Sequence, residues 1–287
     1  MNNTDFIELS DGFFVRQDYI EPMRQAGLCS IEDVFSFTGG KNLHKKELAD
    51  WRSRMELSLP DGARCFLKRY SRPPAPVQIK NWLAHRSRKL TALYDFLHAD
   101  KLKQAGIGTP KVLAFGGKWK GLFEEKSFVI TLEIPRGQSL ETKLPDCFHA
   151  DGPKNRSQRL DFIDKLADFA RRFHDIGLCH RDFYLCHIFL SSSEDLYLID
   201  LQRTFRPALF KKRWRLKDIT QLYYSAPGDI VGRGDRLRFY LRYLGKEKLS
   251  ASDRFNIKRI KAKARRMADR DIRRGKPAPF AKQQDIL

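Results

Sequence analysis

The stretch HRDFYLCHIFL occupies residues 180–190, and LIDLQR follows at residues 198–203. Each stretch contains one aspartate, Asp182 or Asp200, and two apolar runs separated by a polar turn lie between them, which predicts two loops joined by a strand pair. Phosphoryl transfer needs one carboxylate to orient the attacking hydroxyl and accept its proton, and another to hold magnesium on the nucleotide phosphates. Asp182 and Asp200 fit these two roles.

The segment before these loops has the pattern of a long amphipathic helix. Apolar residues recur at a 3.6-residue period over residues 157–176, and Gly177 follows as a C-cap. A helix, a glycine, H-R-D, an apolar run and a second run that ends in aspartate follow the order of protein-kinase signatures. Either aspartate by itself would more often be an ordinary turn or strand-end residue, so the prediction depends on the complete series.

A kinase also needs a lysine on an upstream strand and an acid on the next helix that holds the lysine in place. Lys68 occupies a suitable position, and the acids of the next predicted helix are Asp95 and Asp100, of which Asp95 lies within the apolar-periodic part. The alternative interpretation of Lys68 is a solvated charge on an edge strand. Glu133 closes a later apolar run, where backbone groups would receive an adenine ring, and an exposed strand end is its alternative interpretation.

The pattern of apolar residues predicts strands in the first half of the chain and helices in the second. We expect a hairpin over residues 51–70, a helix over 82–104, paired strands at 112–117 and 127–134, and helices around 213–225, 235–244 and 251–270. This distribution predicts an α+β fold with two lobes, as in protein kinases. The expected parts are a strand-rich N-lobe at 1–134, a mainly helical C-lobe at 135–274 and a flexible tail at 275–287.

The chain is strongly basic, with 55 Lys and Arg against 35 Asp and Glu in 287 residues and a formal net charge of +20. Such a charge predicts an anionic partner but does not distinguish nucleic acid, anionic lipid and acidic glycolipid. Five scattered cysteines without a C-x-x-C pair predict free thiols. Because the N-terminus lacks a signal pattern and no apolar run approaches the ~18 residues of a membrane span, we expect a cytoplasmic protein.

Three segments carry a resemblance to a known family. HRDFYLCH at 180–187, KRWRLKD with LYYS over 212–225, and AGIGTP at 105–110 resemble the lipopolysaccharide kinase (Kdo/WaaP) family, and most closely its core heptose kinases. The likeness spans about residues 34–245. Tyr184, Cys186 and His187 are its distinguishing part, because ordinary protein kinases have other residues at the corresponding positions.

The resemblance implies transfer of the ATP γ-phosphate to a sugar hydroxyl, most closely a heptose of the lipopolysaccharide inner core in a Gram-negative cell. It implies Asp182 as the base within a loop that includes His180 and Arg181, Asp200 on Mg²⁺ and Lys68 on the phosphates. The implied partners are the core oligosaccharide and the anionic cytoplasmic face of the inner membrane, to which the protein would bind peripherally. The basic segment at 254–274 is the candidate membrane surface, and a solvated helix packed on its apolar side is the alternative.

His187 stands where protein kinases have asparagine. The family position implies a contact with the second metal or with phosphate. Imidazole binds magnesium less well than oxygen ligands do, so contact with phosphate and orientation of Asp182 are further alternatives. Asp218 resembles the buried helix acid that braces the catalytic loop.

Three features depart from the protein-kinase pattern. The phosphate-covering loop is reduced to Gly39 and Gly40, without G-x-G-x-x-G. Leu201 and Gln202 replace the Phe and Gly of D-F-G, and Asp95 replaces the usual glutamate. The departures leave open another protein-kinase-like enzyme that acts on a protein or a small molecule.

A non-catalytic basic scaffold or nucleic-acid binder is a second alternative to the lipopolysaccharide kinase. The chain retains Lys68, Asp182 and Asp200, which disfavours a catalytically inactive, kinase-like scaffold. The chain also has no recognisable nucleic-acid-binding module, which disfavours nucleic acid as a partner. Oligomeric state has no signal in the sequence.

Overall fold

The computed structural model describes residues 5–43, 49–148 and 153–280. The chain forms two compact units, between which it passes more than once. The first unit contains the residues up to Asp100 together with Thr109–Arg136 and Asp200–Arg203, and the second contains the remainder. Asp200 therefore belongs to the same unit as Lys68 and Asp95, although more than a hundred residues separate them in sequence.

The first unit is built on a seven-stranded antiparallel sheet. Its strands are β1 (Phe6–Ser10), β2 (Phe13–Arg16), β3 (Lys41–Asn42), β4 (Arg52–Ser58), β5 (Arg64–Ser71), β6 (Val112–Lys120) and β7 (Phe123–Leu132). Their order across the sheet is β1-β2-β6-β7-β5-β4-β3. The predicted hairpin at 51–70 is confirmed as β4 and β5, and the predicted pair at 112–117 and 127–134 is confirmed as β6 and β7.

Both faces of this sheet carry apolar cores. Two short helices, α1 (Ile20–Gln25) and α2 (Ile31–Ser36), pack on one face, where Phe13 stacks on Phe128. A 3-10 helix (Thr91–Asp95) and the residues after it pack on the other face. Burial of aliphatic and aromatic side chains on both faces stabilises the unit, because removing apolar surface from water is favourable.

The predicted helix over residues 82–104 is wrong. The structure has α3 (Ala75–His85), then the 3-10 helix, then α4 (Ala99–Gln104) at the passage to the second unit. Arg86 ends α3 in the left-handed region at φ 51°. The buried Glu124 carboxylate then accepts hydrogen bonds from the backbone and side chain of Thr91, which holds the chain against β7. These long-range hydrogen bonds override the local 3.6-residue period.

The second unit is mainly helical. Its helices are α5 (Leu140–Phe148), α6 (Pro153–Asp175), α7 (Lys211–Ser225), α8 (Arg233–Leu244) and α9 (Ala251–Ile272). Short strands connect them in two small sheets, formed by β8 (Gln138–Ser139), β9 (Cys179–His180), β10 (Ile188–Leu190), β11 (Leu196–Leu198) and β12 (Thr204–Phe205). The helices predicted at 157–176, 213–225, 235–244 and 251–270 are thereby confirmed.

The tail predicted from residue 275 is wrong for its described part. Phe280 is buried beside Tyr223 in a cluster that also contains Met267, and the Pro279 carbonyl accepts a hydrogen bond from Gly228. Burial of this one aromatic ring stabilises the segment against α7 and α9. Residues 281–287 lie outside the described part of the chain.

Candidate active site

Lys68 lies on β5, and its side chain points to the face of the sheet that the 3-10 helix covers. Its ammonium Nζ lies 2.8 Å from Oδ1 of Asp95, the last residue of that 3-10 helix. Tyr70, two residues further along the same face, donates a hydrogen bond of 3.1 Å to Oδ2 of Asp95. Burial, together with the Asp95 carboxylate, raises the pKa of Tyr70 well above its ordinary value, so the hydroxyl keeps its proton. Lys68 and Asp95 thus pair as the sequence predicted.

Asp200, more than a hundred residues further along the chain, joins this ion pair. Its Oδ1 lies 3.6 Å from Lys68 Nζ and 3.8 Å from the guanidinium of Arg54, and it accepts a hydrogen bond of 2.8 Å from Gln202. Asp200 has a φ of 58°. Non-glycine residues in this left-handed region carry backbone strain that is common at active sites. The first unit therefore gathers two cations around one carboxylate, whose residue has a strained backbone.

Sequence reasoning missed Arg54, Tyr70 and Gln202 as members of this cluster. The register of the hairpin contained the signal for Arg54. The turn is centred on Asp61, so residues equally distant from it in sequence are partners, and Arg54 pairs with Lys68. Alternation along β5 likewise places Tyr70 on the same face as Lys68.

The H-R-D loop lies in the second unit and is held by Asp218 on α7. Asp218 Oδ2 accepts hydrogen bonds from the backbone N–H of His180 at 2.7 Å and from Nε2 of His174 at 3.2 Å. The other ring nitrogen of His174 lies 2.8 Å from the Tyr243 hydroxyl. A neutral imidazole can accept from tyrosine at one nitrogen and donate to aspartate at the other. Asp218 has the bracing position that the family resemblance implied.

His187 contacts the backbone of the residue proposed as the base. Its Nδ1 lies 2.7 Å from the carbonyl oxygen of Asp182. A carbonyl only accepts hydrogen bonds, so Nδ1 carries the proton and donates. In turn, the N–H of Asp182 donates to Nδ1 of His180 at 3.2 Å. The two histidines therefore hold the backbone of Asp182 from both sides, which favours the orienting role among the alternatives for His187.

Further residues of α7 hold the same loop through its backbone. Gln221 donates to the carbonyl of Arg181 at 2.8 Å and accepts from the N–H of Phe183 at 3.2 Å. Lys217 also donates to the Arg181 carbonyl, and Ser225 accepts from the N–H of Leu185. The spacing of Lys217, Gln221 and Ser225 along one helix face was the sequence signal for these contacts, which sequence reasoning did not use.

Two further predicted nucleotide contacts have structural explanations of their own. A Cβ atom at Gly40 would lie 2.5 Å from the carbonyl oxygen of Glu56, so β4 requires a glycine there. Gly39, next to it, packs against the ring of Phe37. The loop that joins β3 to β4 includes residues 44–48, which lie outside the described part of the chain.

Glu133, the predicted adenine neighbour, follows the end of β7. Its backbone N–H donates to the carbonyl of Arg64 at 2.8 Å, and its carboxylate lies 3.5 Å from the Arg64 guanidinium. The backbone N–H of Glu133 therefore already has a hydrogen-bond partner within the first unit.

The sequence profile of the lipopolysaccharide kinase (Kdo/WaaP) family matches residues 62–243. This match covers more than half of the chain and includes both aspartate loops. The chain belongs to this family. As a member of the Kdo/WaaP family the protein is a kinase, and therefore a phosphotransferase, as the sequence motifs predicted.

Two named kinases and one solved structure are similar to this chain. The lipopolysaccharide core heptose(I) kinase WaaP of Escherichia coli (strain K12) is 31% identical over 231 residues, which cover 77% of this chain and 85% of that relative. The 3-deoxy-D-manno-octulosonic acid kinase of Vibrio vulnificus (strain YJ016) is 23% identical over 154 residues, or 54% of this chain and 58% of the relative.

A solved structure of WaaP in complex with acyl carrier protein matches 88% of this chain and 98% of that chain, with a TM-score of 0.65 and 25% identity. The predicted α+β class, with a strand-rich N-terminal part and a mainly helical C-terminal part, is confirmed. Among the described helices, none has both the length and the apolar character needed to cross a bilayer.

Proposed function

We propose that this protein transfers the γ-phosphate of ATP, with Mg²⁺, to a heptose hydroxyl of the lipopolysaccharide inner core. The observation that carries the proposal is the cluster in which Lys68 pairs with Asp95 beside Asp200, in a chain that also has the H-R-D loop. Kinases use this set of groups to hold nucleotide phosphates and metal.

The cluster in the first unit suits the nucleotide. Arg54 and Lys68 provide two cations that can neutralise phosphate oxygens, and Arg54 Nε is buried without a hydrogen-bond partner in the described structure. Asp200 supplies the oxygen ligands that Mg²⁺ prefers, so its chemistry fits this metal. When bound by Asp200, Mg²⁺ would neutralise charge on the nucleotide phosphates. Asp95 and Tyr70 hold the Lys68 ammonium in one position.

Asp182 serves the acceptor sugar in this proposal. Its carboxylate orients the attacking hydroxyl and accepts its proton. His187 and His180 position the Asp182 backbone, and Gln221 and Lys217 hold Arg181 beside it. A base must be placed accurately, because an error of about 1 Å can cost about a hundredfold in rate.

The similar proteins support the choice of acceptor. The relative with 31% identity is a heptose(I) kinase, and the relative with 23% identity is a 3-deoxy-D-manno-octulosonic acid kinase. The greater identity and coverage of the first support heptose. The acid sugar is the alternative acceptor.

The net charge of +20 supports peripheral binding to the anionic cytoplasmic face of the inner membrane, where a lipid-linked acceptor is presented. Long-range attraction would concentrate the enzyme at that surface.

An acyl carrier protein is a further candidate partner, since the similar solved WaaP is in complex with one. The second unit contains an apolar cavity of about 580 Å³, whose lining includes Phe162, Leu166, Ile219, Leu222, Tyr240 and Ile260. An acyl chain is an apolar ligand that such a cavity can hold. Co-elution of the protein with acylated carrier protein, but not with the unacylated form, would support this partner. Equal elution with both forms would contradict a role for the cavity.

The proposed reaction can be tested with two acceptors. Purified protein with labelled ATP and Mg²⁺ is given lipid A that carries only the acid sugar, or lipid A that carries the acid sugar extended by one heptose. We expect label only on the heptose-containing acceptor. Label on both would assign the reaction to the acid sugar, and label on neither would overturn the proposal.

Two variants serve as controls for that assay. Asp182→Asn removes the proposed base while keeping the size of the side chain, and label should fall by at least about a hundredfold. Asp164→Asn makes the same chemical change on α6, where Asp164 pairs with Arg238 at an exposed site, and should keep full activity.

A further inference from the structure

Two strongly exposed leucines of the first unit are each next to an aromatic residue in sequence, Trp82 or Phe123. Leu83, in the last turn of α3, is 75% exposed, and Leu122, in the turn between β6 and β7, is 59% exposed. Gly121 precedes Leu122 in this two-residue turn and has a φ of 60°. Tight turns normally carry polar residues, so folding itself does not call for a leucine at this tip.

Aromatic residues next to these leucines in sequence pack against one another. Trp82 on α3 stacks on Phe123 at 5.8 Å and lies 6.4 Å from Trp119 on β6. Arg88 lies over the Trp119 ring at 4.4 Å and donates a hydrogen bond of 2.7 Å to the carbonyl of Leu122. We name this region the tryptophan surface, which consists of Ile79, Trp82, Leu83, Trp119, Leu122 and Phe123.

The helix that carries half of the tryptophan surface is firmly attached to the sheet. Buried Gln78 on α3 accepts a hydrogen bond of 2.8 Å from the N–H of Glu124 on β7, and it donates one of 2.6 Å to the carbonyl of Pro73. The apolar side chains are therefore presented by a fixed scaffold.

The two stretches of sequence that form the tryptophan surface are basic, and the acids that directly follow the second stretch are Glu124, which is buried, and Glu125, which is half-buried. No Asp or Glu occurs between Asp61 and Asp95, or between Asp100 and Glu124, and these two stretches supply every residue of the surface. The same two stretches also carry four exposed basic residues, namely Lys80, Arg86, Arg88 and Lys120. Lys118 is left out of this set because it pairs with Glu32 at 2.9 Å. An apolar surface with a basic rim is complementary to an anionic bilayer, in which tryptophan favours the interface.

The basic helix α9 has a different construction. Its apolar residues Ile260 and Met267 are buried, so the side that packs on the second unit is the apolar one. Phe255 and Ile272 are its exposed apolar residues, and they stand more than four helical turns apart in sequence. Thus α9 provides charge without a continuous face that could enter a bilayer.

We infer that the tryptophan surface is the site at which the protein binds an anionic membrane. Leu83 and Leu122 enter the acyl boundary, Trp119 lies at the headgroup level, and the basic rim contacts lipid phosphates. The inference deepens the peripheral membrane binding proposed above and rests on that proposal for its cellular setting. Each basic residue near such a surface contributes about fivefold to partitioning.

Vesicle co-sedimentation tests this assignment. The vesicles contain three parts phosphatidylcholine to one part phosphatidylglycerol, and pure phosphatidylcholine is the comparison. The double variant Leu83→Asp/Leu122→Asp should lose at least about tenfold in partitioning to the anionic vesicles. The matched control is Phe255→Asp/Ile272→Asp on α9, whose residues are 61% and 55% exposed and which changes the net charge by the same amount.

The control separates a defined surface from general attraction. Loss in the Leu83/Leu122 variant with retention in the α9 variant supports the assignment. Equal losses in both variants, a loss confined to the α9 variant, or no binding by the unaltered protein would each overturn it. Brominated acyl chains give a second readout: they should quench the fluorescence of the unaltered protein more than that of a Trp119→Phe variant, and equal quenching would contradict the assignment.

A kinase assay keeps this inference distinguishable from the proposed function. Both double variants and the unaltered protein are given a water-soluble, deacylated core oligosaccharide with ATP and Mg²⁺. The Leu83/Leu122 variant should phosphorylate it at the unaltered rate, which supports a role in membrane binding alone. A similar loss on the soluble acceptor would overturn that role. If the protein binds vesicles through the tryptophan surface but phosphorylates neither the soluble nor the lipid-linked acceptor, the proposed function is refuted. The assignment of the tryptophan surface to membrane binding is then still supported.

Discussion

Arg54 and Lys68 occupy directly opposed positions on β4 and β5, and both side chains reach the same oxygen of Asp200. Like charges opposite each other on neighbouring strands destabilise a sheet unless an anion lies between them. Asp200 supplies that anion, and in the proposed reaction the phosphates of ATP supply further negative charge. The sheet register thus creates a site for a polyanion.

Replacing Arg54 should weaken nucleotide binding. We expect Arg54→Ala to raise the KM for ATP by about ten- to a hundredfold, the range for a lost hydrogen bond to a charged group. Steady-state kinetics with varied ATP would measure this. The control Arg238→Ala removes an arginine that pairs with Asp164 at an exposed site, and it should leave KM within about twofold. An unchanged KM in Arg54→Ala would contradict the proposed phosphate contact.

Removing the charge of Asp95 should misplace the Lys68 ammonium. The Asp95→Asn variant is expected to lose about a hundredfold in kcat/KM, because the lysine would no longer have a fixed partner. Tyr70→Phe keeps the ion pair and removes one hydrogen bond to Asp95, so its loss should be about two- to tenfold. Initial-rate measurements on both variants, with circular dichroism to verify folding, would check the order. A larger loss in Tyr70→Phe than in Asp95→Asn would contradict it.

His187 should act as a positioning residue for Asp182. We expect His187→Ala to lower kcat by about ten- to a hundredfold while the KM for ATP stays nearly constant, because the change frees the Asp182 carbonyl without touching Lys68. His187→Asn keeps a side-chain N–H donor and should recover part of the rate. A rise in the KM for ATP with an unchanged kcat would instead indicate that His187 contacts phosphate.

Glu124 should make the stability of the first unit depend on pH. Burial raises the pKa of this carboxyl above its ordinary value, against the hydrogen bonds from Ser127 and Thr91 that lower it. A carboxyl with a higher pKa in the folded state stabilises the fold when protonated, and that stability is lost as pH rises through the folded pKa. The free energy of unfolding should therefore fall between about pH 5 and about pH 8 by more in the unaltered protein than in Glu124→Gln.

Urea unfolding of both proteins at the two pH values would measure this difference. Each pKa unit between the folded and unfolded states corresponds to about 1.4 kcal/mol. Comparing the two proteins cancels the contributions of the other carboxyls. Parallel changes with pH in the two proteins would show that Glu124 has the same pKa in both states.

The sequence by itself was sufficient for the elements whose signals are local. The β4–β5 hairpin has alternating residues around a Pro-Asp-Gly turn, and α6 has a regular apolar period with a glycine at its end. Family membership likewise followed from HRDFYLCH and KRWRLKD, because these motifs are short and contiguous. The pairing of Lys68 with Asp95 was predicted from the order of kinase elements, and the ion pair bears it out.

Only the tertiary structure decided which distant residues meet. The single helix predicted over residues 82–104 does not form, because the backbone N–H of Thr91 donates a hydrogen bond to the side chain of Glu124, a residue on β7. Asp200 meets Arg54 and Lys68 because the chain returns to the first unit at Asp200–Arg203, which no local pattern records. The spacing of apolar residues along a segment depends only on the sequence of that segment. A side chain's hydrogen-bond partners are set by the packing of the whole chain, because a buried polar group must find a partner wherever the fold provides one.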